Sequence, residues 1–295
     1  MNFCMELLTP QNFKDYELLD SGNFEKLERF GQYITIRPEP QAVWNRQKKE
    51  ADWLKEAHVK FVAKNSSSGT WKKLKEIPDR WHISYALPDA KQIRLRLALT
   101  SFKHVGVFPE QAVNWDFIYH SVKKLDVVQP KVLNLFAYTG AATLAAKVAG
   151  ADIIHLDSIK QVITWAKENM TLSGLDNIRW LVEDAMTFVK REVKRGKKYQ
   201  GIILDPPAYG HGPNGENWKL EDEINEMLAN VKLLLEENHF LVLNTYSLGF
   251  SSIILDNLLD EHFSKNIKRQ TGEIFLQSTA GARLPLGVFA RHCTV

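Results

Sequence analysis

The sequence predicts an α/β protein, with a mostly parallel sheet covered by helices in the second half of the chain and a smaller α/β region ahead of it. Three observations predict this. From about residue 130 onward, short apolar runs alternate with helical patterns, the signature of βα units. The 295 residues are 44% hydrophobic and 11% aromatic, enough for the core of one large domain or two moderate ones, and a charged fraction of 25% is ordinary for a globular chain. The basic excess is local: residues 42 to 103 carry fourteen Lys or Arg against six Asp or Glu, whereas from 121 onward the two signs balance at twenty each.

In chain order, the alternation Gln32-Tyr33-Ile34-Thr35-Ile36-Arg37 predicts a strand, Asn65-Ser66-Ser67-Ser68-Gly69 a loop, and Ile93-Arg94-Leu95-Arg96-Leu97 another strand. Trp115, Ile118 and Val122 fall on a helix leading into the second half. This places the boundary within 111–125 and divides the chain into 1–115 and 116–295. Five strands follow, at Val132-Leu133-Asn134-Leu135-Phe136, Ile153-Ile154-His155-Leu156, Ile178-Arg179-Trp180-Leu181-Val182, Ile202-Ile203-Leu204 and Phe240-Leu241-Val242-Leu243. After the second, Ser158 with Gln161 reads as a capping box, and Val162, Ile163, Ala166 and Met170 continue at helical spacing. Ile224, Met227, Leu228, Val231, Leu234 and Leu235 form the stripe of another sheet-covering helix, and Ile253, Leu255, Leu258 and Leu259 a third. Two late runs, 266–269 and 286–291, have no helix between them. They predict an antiparallel hairpin at the sheet edge, joined by a long loop at 278–287.

Composition also excludes classes. Cys4 and Cys293 sit at opposite ends, too few for a disulfide framework or a multi-cysteine zinc site, and His104, His155, His211 and His239 show no metal-ligand spacing. No signal-like segment opens the sequence and no run approaches eighteen apolar residues, so a reduced, cytoplasmic setting without membrane or metal is expected. In the basic segment Trp44, Trp53, Trp71 and Trp81 are interleaved with the cations. That is a candidate RNA-facing surface, although tryptophans are as often core and lysines a solvated face.

Ligands of an open parallel sheet lie beyond the carboxyl ends of its strands. The first strand ends in Phe136-Ala137-Tyr138-Thr139-Gly140-Ala141, a small-residue turn with one glycine where a dinucleotide fingerprint wants three. The second ends at Asp157-Ser158, about twenty residues on, the spacing from which a carboxylate reaches ribose hydroxyls. Asp184-Ala185 follows the third and Asp205-Pro206-Pro207-Ala208-Tyr209 the fourth. Together they outline a nucleoside-sized pocket with acids and no phosphate cradle.

From about Gln111 to Val295 this combination resembles the class I S-adenosylmethionine-dependent methyltransferases. Three further features look like the bacterial 23S rRNA large-subunit methyltransferase family: 134–140, the Asp205-Pro206-Pro207 box, and Gly210-His211-Gly212-Pro213-Asn214-Gly215-Glu216-Asn217-Trp218-Lys219. Leu18-Leu19-Asp20-Ser21-Gly22, Lys26-Leu27-Glu28-Arg29-Phe30-Gly31 and Arg37-Pro38-Glu39-Pro40-Gln41 resemble a subgroup of that family. The resemblance implies a Rossmann-like seven-stranded sheet, S-adenosyl-L-methionine as cofactor and RNA, in particular rRNA, as substrate. It places Asp157 with Ser158 on the ribose, Asp184 with Ala185 at the adenine, and Phe136, Ala137, Tyr138, Thr139, Gly140 and Ala141 under the methionine. Gly106-Val107-Phe108-Pro109-Glu110-Gln111, with Phe108, would close over the cofactor, and Asp205 would border both cofactor and target.

Methyl transfer to a base needs positioning more than acid or base work. Pro206 and Pro207 stiffen the loop, Asp205 and the loop carbonyls can accept from an amino group, and Tyr209 can stack on a planar base. The chain departs from the family in two ways. No cysteine stands just after the fourth or fifth strand, and Cys293 lies in the last strand, which disfavours thiolate attack on a pyrimidine carbon and favours transfer to a nitrogen. The family's N-terminal PUA module has no counterpart in the short basic region. Methylation of a protein or small-molecule amine, or a cofactor-binding RNA assembly factor without turnover, are the rival readings. The sequence leaves the oligomeric state open between monomer and homodimer.

Overall fold

A computed structural model of the chain describes residues 5–65, 68–247 and 249–295; Cys4 and the Ser66-Ser67 pair of the expected loop lie outside them. The first half is built from β1 (Glu6–Leu8), β2 (Tyr16–Gly22), β3 (Glu25–Phe30), β4 (Tyr33–Pro38), α1 (Glu50–Glu56), β5 (Val59–Ala63), β6 (Gly69–Lys73), β7 (Arg80–Ala86) and β8 (Gln92–Ala98). Helix α2 (Ala112–Lys124) then leads into β9 (Lys131–Leu135), α3 (Ala141–Ala149), β10 (Asp152–Asp157), α4 (Lys160–Leu172), β11 (Arg179–Val182), α5 (Ala185–Lys194) and β12 (Tyr199–Leu204). The remainder is β13 (Tyr209–His211), β14 (Asn217–Lys219), α6 (Leu220–Leu234), β15 (Leu235–Thr245), α7 (Ser252–His262), β16 (Arg269–Gln277) and β17 (Arg283–Cys293).

Seven strands of the second half form one sheet, ordered β16-β17-β15-β12-β9-β10-β11, and β1 adds an eighth beside β16. Strands β15, β12, β9, β10 and β11 run parallel, while β17 is antiparallel to both of its neighbours. Chain order reverses at β9, so the crevice for a ligand opens beyond the carboxyl ends of β9, β10 and β12. The central parallel strands are buried on both faces, hence their continuous apolar runs: Val132, Leu133 and Leu135 on β9, and Ile202, Ile203 and Leu204 on β12, are all buried.

Strands β2 to β6 form a second sheet, and β7 pairs with β8 as a hairpin. One apolar cluster runs across both halves, joining Phe30, Ile83 and Leu95 to Trp115, Ile118 and Val132. The Leu18-Leu19-Asp20-Ser21-Gly22 segment has a structural purpose. The buried Asp20 carboxylate accepts from the backbone N–H of Ser21, Gln47 and Lys48 and from the Trp53 indole, which fixes the stretch before α1. All four tryptophans of the basic segment are turned into the fold. Trp53 and Trp81 are buried, and the half-buried Trp44 and Trp71 donate to the carbonyls of Ser21 and Thr100.

The structure corrects three sequence expectations. The Ser158–Gln161 capping box does not form: Ile159 holds the cap position of α4, and Asp157 Oδ1 accepts the Ile159 N–H at 3.0 Å instead. The long loop at 278–287 is a tight turn. Ser278 N–H donates to the Ala282 carbonyl at 2.8 Å and Gly281 takes φ 108°, so β17 begins at Arg283 and buries Leu284 and Leu286. Its partner strand starts at Arg269, where 266–269 had been expected to be the strand itself. Among the described residues no helix is long and apolar enough to cross a membrane, and no cluster of three His, Cys, Asp or Glu could hold a metal ion.

Candidate active site

The cavity sits at the switch point and encloses about 460 Å³. Its floor is the turn after β9. Phe136 and Tyr138 take positive φ values of 56° and 49°, conformations that β-carbons resist, and Gly140 at φ 89° opens α3. The surroundings hold this turn in place. Ala137 N–H donates to the Leu156 carbonyl at 3.0 Å, Thr139 Oγ1 donates to the Gly106 carbonyl at 2.7 Å, and Asn169 Nδ2 donates to the Thr139 carbonyl at 2.9 Å. Phe136 and Tyr138 face the main cavity, while Ala137, Thr139, Gly140 and Ala141 line a smaller recess continuous with it in sequence and lining.

Beside the turn, at the end of β10, Asp157 Oδ2 accepts the Tyr138 N–H at 2.9 Å. Burial pushes its carboxyl above the usual aspartate range, and the N–H groups of Ile159, Tyr138 and Ser158 only partly offset that. Each oxygen keeps acceptor capacity toward the cavity, where Ser158 also lies. The Phe108 and Tyr138 rings pack at 5.1 Å as an apolar lip, and the His104 ring, also in the lining, is tilted against Phe108.

At the end of β12, Asp205 is pushed up to about 6 by burial, although Asn244 Nδ2 donates to its Oδ1 at 2.8 Å. The other Asn244 amide atom, Oδ1, is buried with no hydrogen-bond partner. Pro206 and Pro207 continue the wall. The Trp218 indole N–H donates to the Pro207 carbonyl at 2.7 Å, so the β13–β14 hairpin is tied to the loop after β12. Tyr209, 58% exposed, stands edge-on to His211 at the mouth. Asp184 and Ala185 are outside the lining: Asp184 caps α5 by accepting the Thr187 N–H at 2.8 Å, and Ala185 packs into the core. Cys293 stands on β17 opposite Phe240, and none of the described lining residues is a cysteine.

The fourth wall comes from the first half of the chain, where the sequence had pointed only to the 106–111 segment with Phe108 and to a candidate RNA-facing surface. Lys26, Arg37, Glu39 and Lys103 line the cavity with Glu110, Asn244 and Tyr246. Arg37 grips Glu28 through Nε and Nη2 at 2.7 and 2.8 Å, Lys26 lies 3.2 Å from Glu39, and the Tyr246 hydroxyl donates to Glu39 Oε1 at 2.6 Å. Burial opposes ionisation of Glu28 and Glu39. Arg37 with Lys26 overcomes it for Glu28, and Lys26 with the Tyr246 hydroxyl for Glu39, so both lie below the usual range. Glu110 lacks such a match and burial pushes it up to about 7. The available signal was the motif Arg37-Pro38-Glu39-Pro40-Gln41, a charged residue fixed between two prolines.

The family described as Conserved hypothetical protein 95 matches residues 111–258. The S-adenosylmethionine-dependent methyltransferase of Agrobacterium tumefaciens, known from a crystal structure, is 36% identical, with 98% of this chain and 94% of that one covered at a TM-score of 0.91. SMU.776, solved in complex with SAH, shares the fold at 17% identity and a TM-score of 0.72 over 96% of this chain and 76% of its own. Ribosomal RNA large subunit methyltransferase K/L of Shewanella frigidimarina (strain NCIMB 400) is 31% identical over 153 residues, 50% of this chain. The chain spans about a fifth of the length of the curated K/L relatives it matches, 20% for that protein.

Proposed function

The chain belongs to the S-adenosylmethionine-dependent methyltransferase family, and from that premise we propose that it methylates a nitrogen of an RNA base, with ribosomal RNA as the acceptor. The observation that carries this reading is the end of the cavity where the raised Asp205 carboxyl and the proline loop converge beside an exposed tyrosine. Amino hydrogens are what such a site pairs with. The curated relatives named for rRNA support the acceptor class.

The residues present fit the cofactor. Asp157, with lone pairs left on both oxygens, suits a ribose diol. Phe108, Phe136 and Tyr138 give apolar contact, Ser158 borders the ribose, and residues 137–141 run under the methionine part. Asp184 and Ala185, expected at the adenine, lie outside the cavity lining, with Asp184 Oδ1 committed to its helix, so the fit to the cofactor rests on the other residues. When bound, S-adenosylmethionine supplies a methyl group on a sulfonium, an electrophile that needs little activation. Asp205 and the Pro206-Pro207 loop hold the target nitrogen in line, and Asp205, with its pKa at about 6, can take the proton that a methylated amine releases. Tyr209 offers a face on which a base flipped from its stack can rest. In this reading residues 1–115 form the substrate-recognition region and 116–295 the methyltransferase domain.

Two measurements test the reading. Isothermal titration should show S-adenosylmethionine binding that Asp157→Ala weakens at least tenfold; equal affinity in the variant removes the ribose assignment. Nucleoside mass spectrometry of a deletion strain should reveal the loss of one nitrogen-methylated base. Loss of a carbon-methylated base, or label that appears in protein instead, would overturn the nitrogen or the RNA assignment.

A further inference from the structure

Glu39 is 3% exposed, and a carboxylate so buried is costly unless it is paired and hydrogen-bonded. Its setting is rigid. Pro38 and Pro40 fix φ on either side, its N–H donates to the Phe24 carbonyl at 2.7 Å, and its carbonyl accepts the Ala42 N–H at 3.1 Å. Behind it Lys26 stands 3.2 Å away and 3.6 Å from Glu28, which Arg37 and the Tyr16 hydroxyl clamp in turn. In front, Oε1 accepts the Tyr246 hydroxyl at 2.6 Å, a contact across 207 positions of sequence. Tyr246 follows β15 directly, and its backbone bridges Pro207 in the loop after β12.

This is an unbroken chain of polar contacts from a fixed point on the N-terminal sheet to the loop that presents Asp205. We infer that Glu39 and Tyr246 are positioning residues for methyl transfer, with Glu39 anchoring the Asp205-Pro206-Pro207 loop through the tyrosine hydroxyl. The N-terminal sheet is then a working wall of the active site as well as a candidate RNA surface. The geometry accounts for the Arg37-Pro38-Glu39-Pro40-Gln41 motif, whose prolines hold the anchor and whose arginine neutralises the carboxylate beneath it. A phenylalanine at 246 would fill the same space without holding the loop's register.

Three variants test this: Tyr246→Phe, Glu39→Ala, and Glu39→Gln, which still offers the hydroxyl an acceptor. Hydrogen–deuterium exchange of residues 208–212 should speed up at least tenfold in the first two. Single-turnover methylation of purified rRNA with tritiated S-adenosylmethionine should slow at least tenfold, while the S-adenosylmethionine Kd stays within threefold. Glu39→Gln should restore most of both. Unchanged exchange in Tyr246→Phe, a Gln variant as impaired as the Ala variant, or Kd loss in step with rate would each overturn the positioning role. A wild-type protein inactive on rRNA removes the acceptor proposed above, and the exchange and Kd measurements then decide the positioning role alone.

Discussion

On the side of the cavity built from β10 and β12, Asp157 and Asp205 meet burial with only amide partners, and both are pushed above the usual aspartate range, Asp205 to about 6. On the N-terminal side Glu28 and Glu39 are buried as deeply yet lie below the usual glutamate range, because Arg37 and Lys26 stand beside them. Burial is common to the two walls, so the neighbouring charge decides the protonation state. The N-terminal wall holds Glu28 and Glu39 charged as a scaffold, while Glu110, without a matching cation, is pushed up to about 7. The other holds two carboxyls that burial raises, Asp205 to about 6, without a cation beside them.

The sharpest way to break the comparison is to remove a scaffold carboxylate. Glu28→Ala leaves Arg37 buried without its bidentate partner, so denaturant unfolding should show a loss of about 3–5 kcal/mol. A loss well under 1 kcal/mol would mean that water reaches the wall and its charges need no pairing. Glu28 and Glu39, with lowered values, contribute stability at full strength above the unfolded glutamate range, and that contribution fades as pH falls through their folded values.

On the other wall Asp205→Asn should slow single-turnover transfer about 100-fold while the protein becomes more stable at pH 7. The sign follows from the raised value. The folded state holds the Asp205 proton more tightly than the unfolded chain does, so wild-type stability falls as pH rises from about 4 to the folded value of about 6. A residue that cannot ionise escapes that loss, by about 1–3 kcal/mol at pH 7, and the difference should vanish near pH 4. Unfolding curves at pH 4, 5.5 and 7 check it; a variant less stable at every pH would put Asp205 with the scaffold carboxylates.

The smallest effect concerns Asp184, which lies on neither wall. Asp184→Ala removes a helix cap and should cost about 1 kcal/mol. An unchanged S-adenosylmethionine Kd in that variant would leave Asp184 as a cap alone and remove it from the adenine site.

Much of the second half was legible because its signals are local. An apolar run followed by an acid marks a buried strand and its end, so Asp157 and Asp205 were found from short stretches of chain. The Ser158–Gln161 pair failed because Asp157, one residue earlier, is drawn toward the turn after β9 and takes the helix N–H itself. The turn at 278–282 was hidden because Leu284 looks like a loop residue until β16 pairs with it. The strained φ values of Phe136 and Tyr138 leave no mark on residue type.

The sequence by itself determined the parallel sheet, the order of its strands along the chain, the acids at their ends and the absence of a thiol just after the fourth and fifth strands. All of these follow from periodicity and near-neighbour chemistry. Only the tertiary structure decided that β1 would extend the sheet, that the four tryptophans would turn inward, and that Lys26, Arg37 and Glu39 would close the cavity against Tyr246. Those outcomes depend on contacts between distant residues, and a buried charge reveals its role only when the fold places its partner within hydrogen-bond reach.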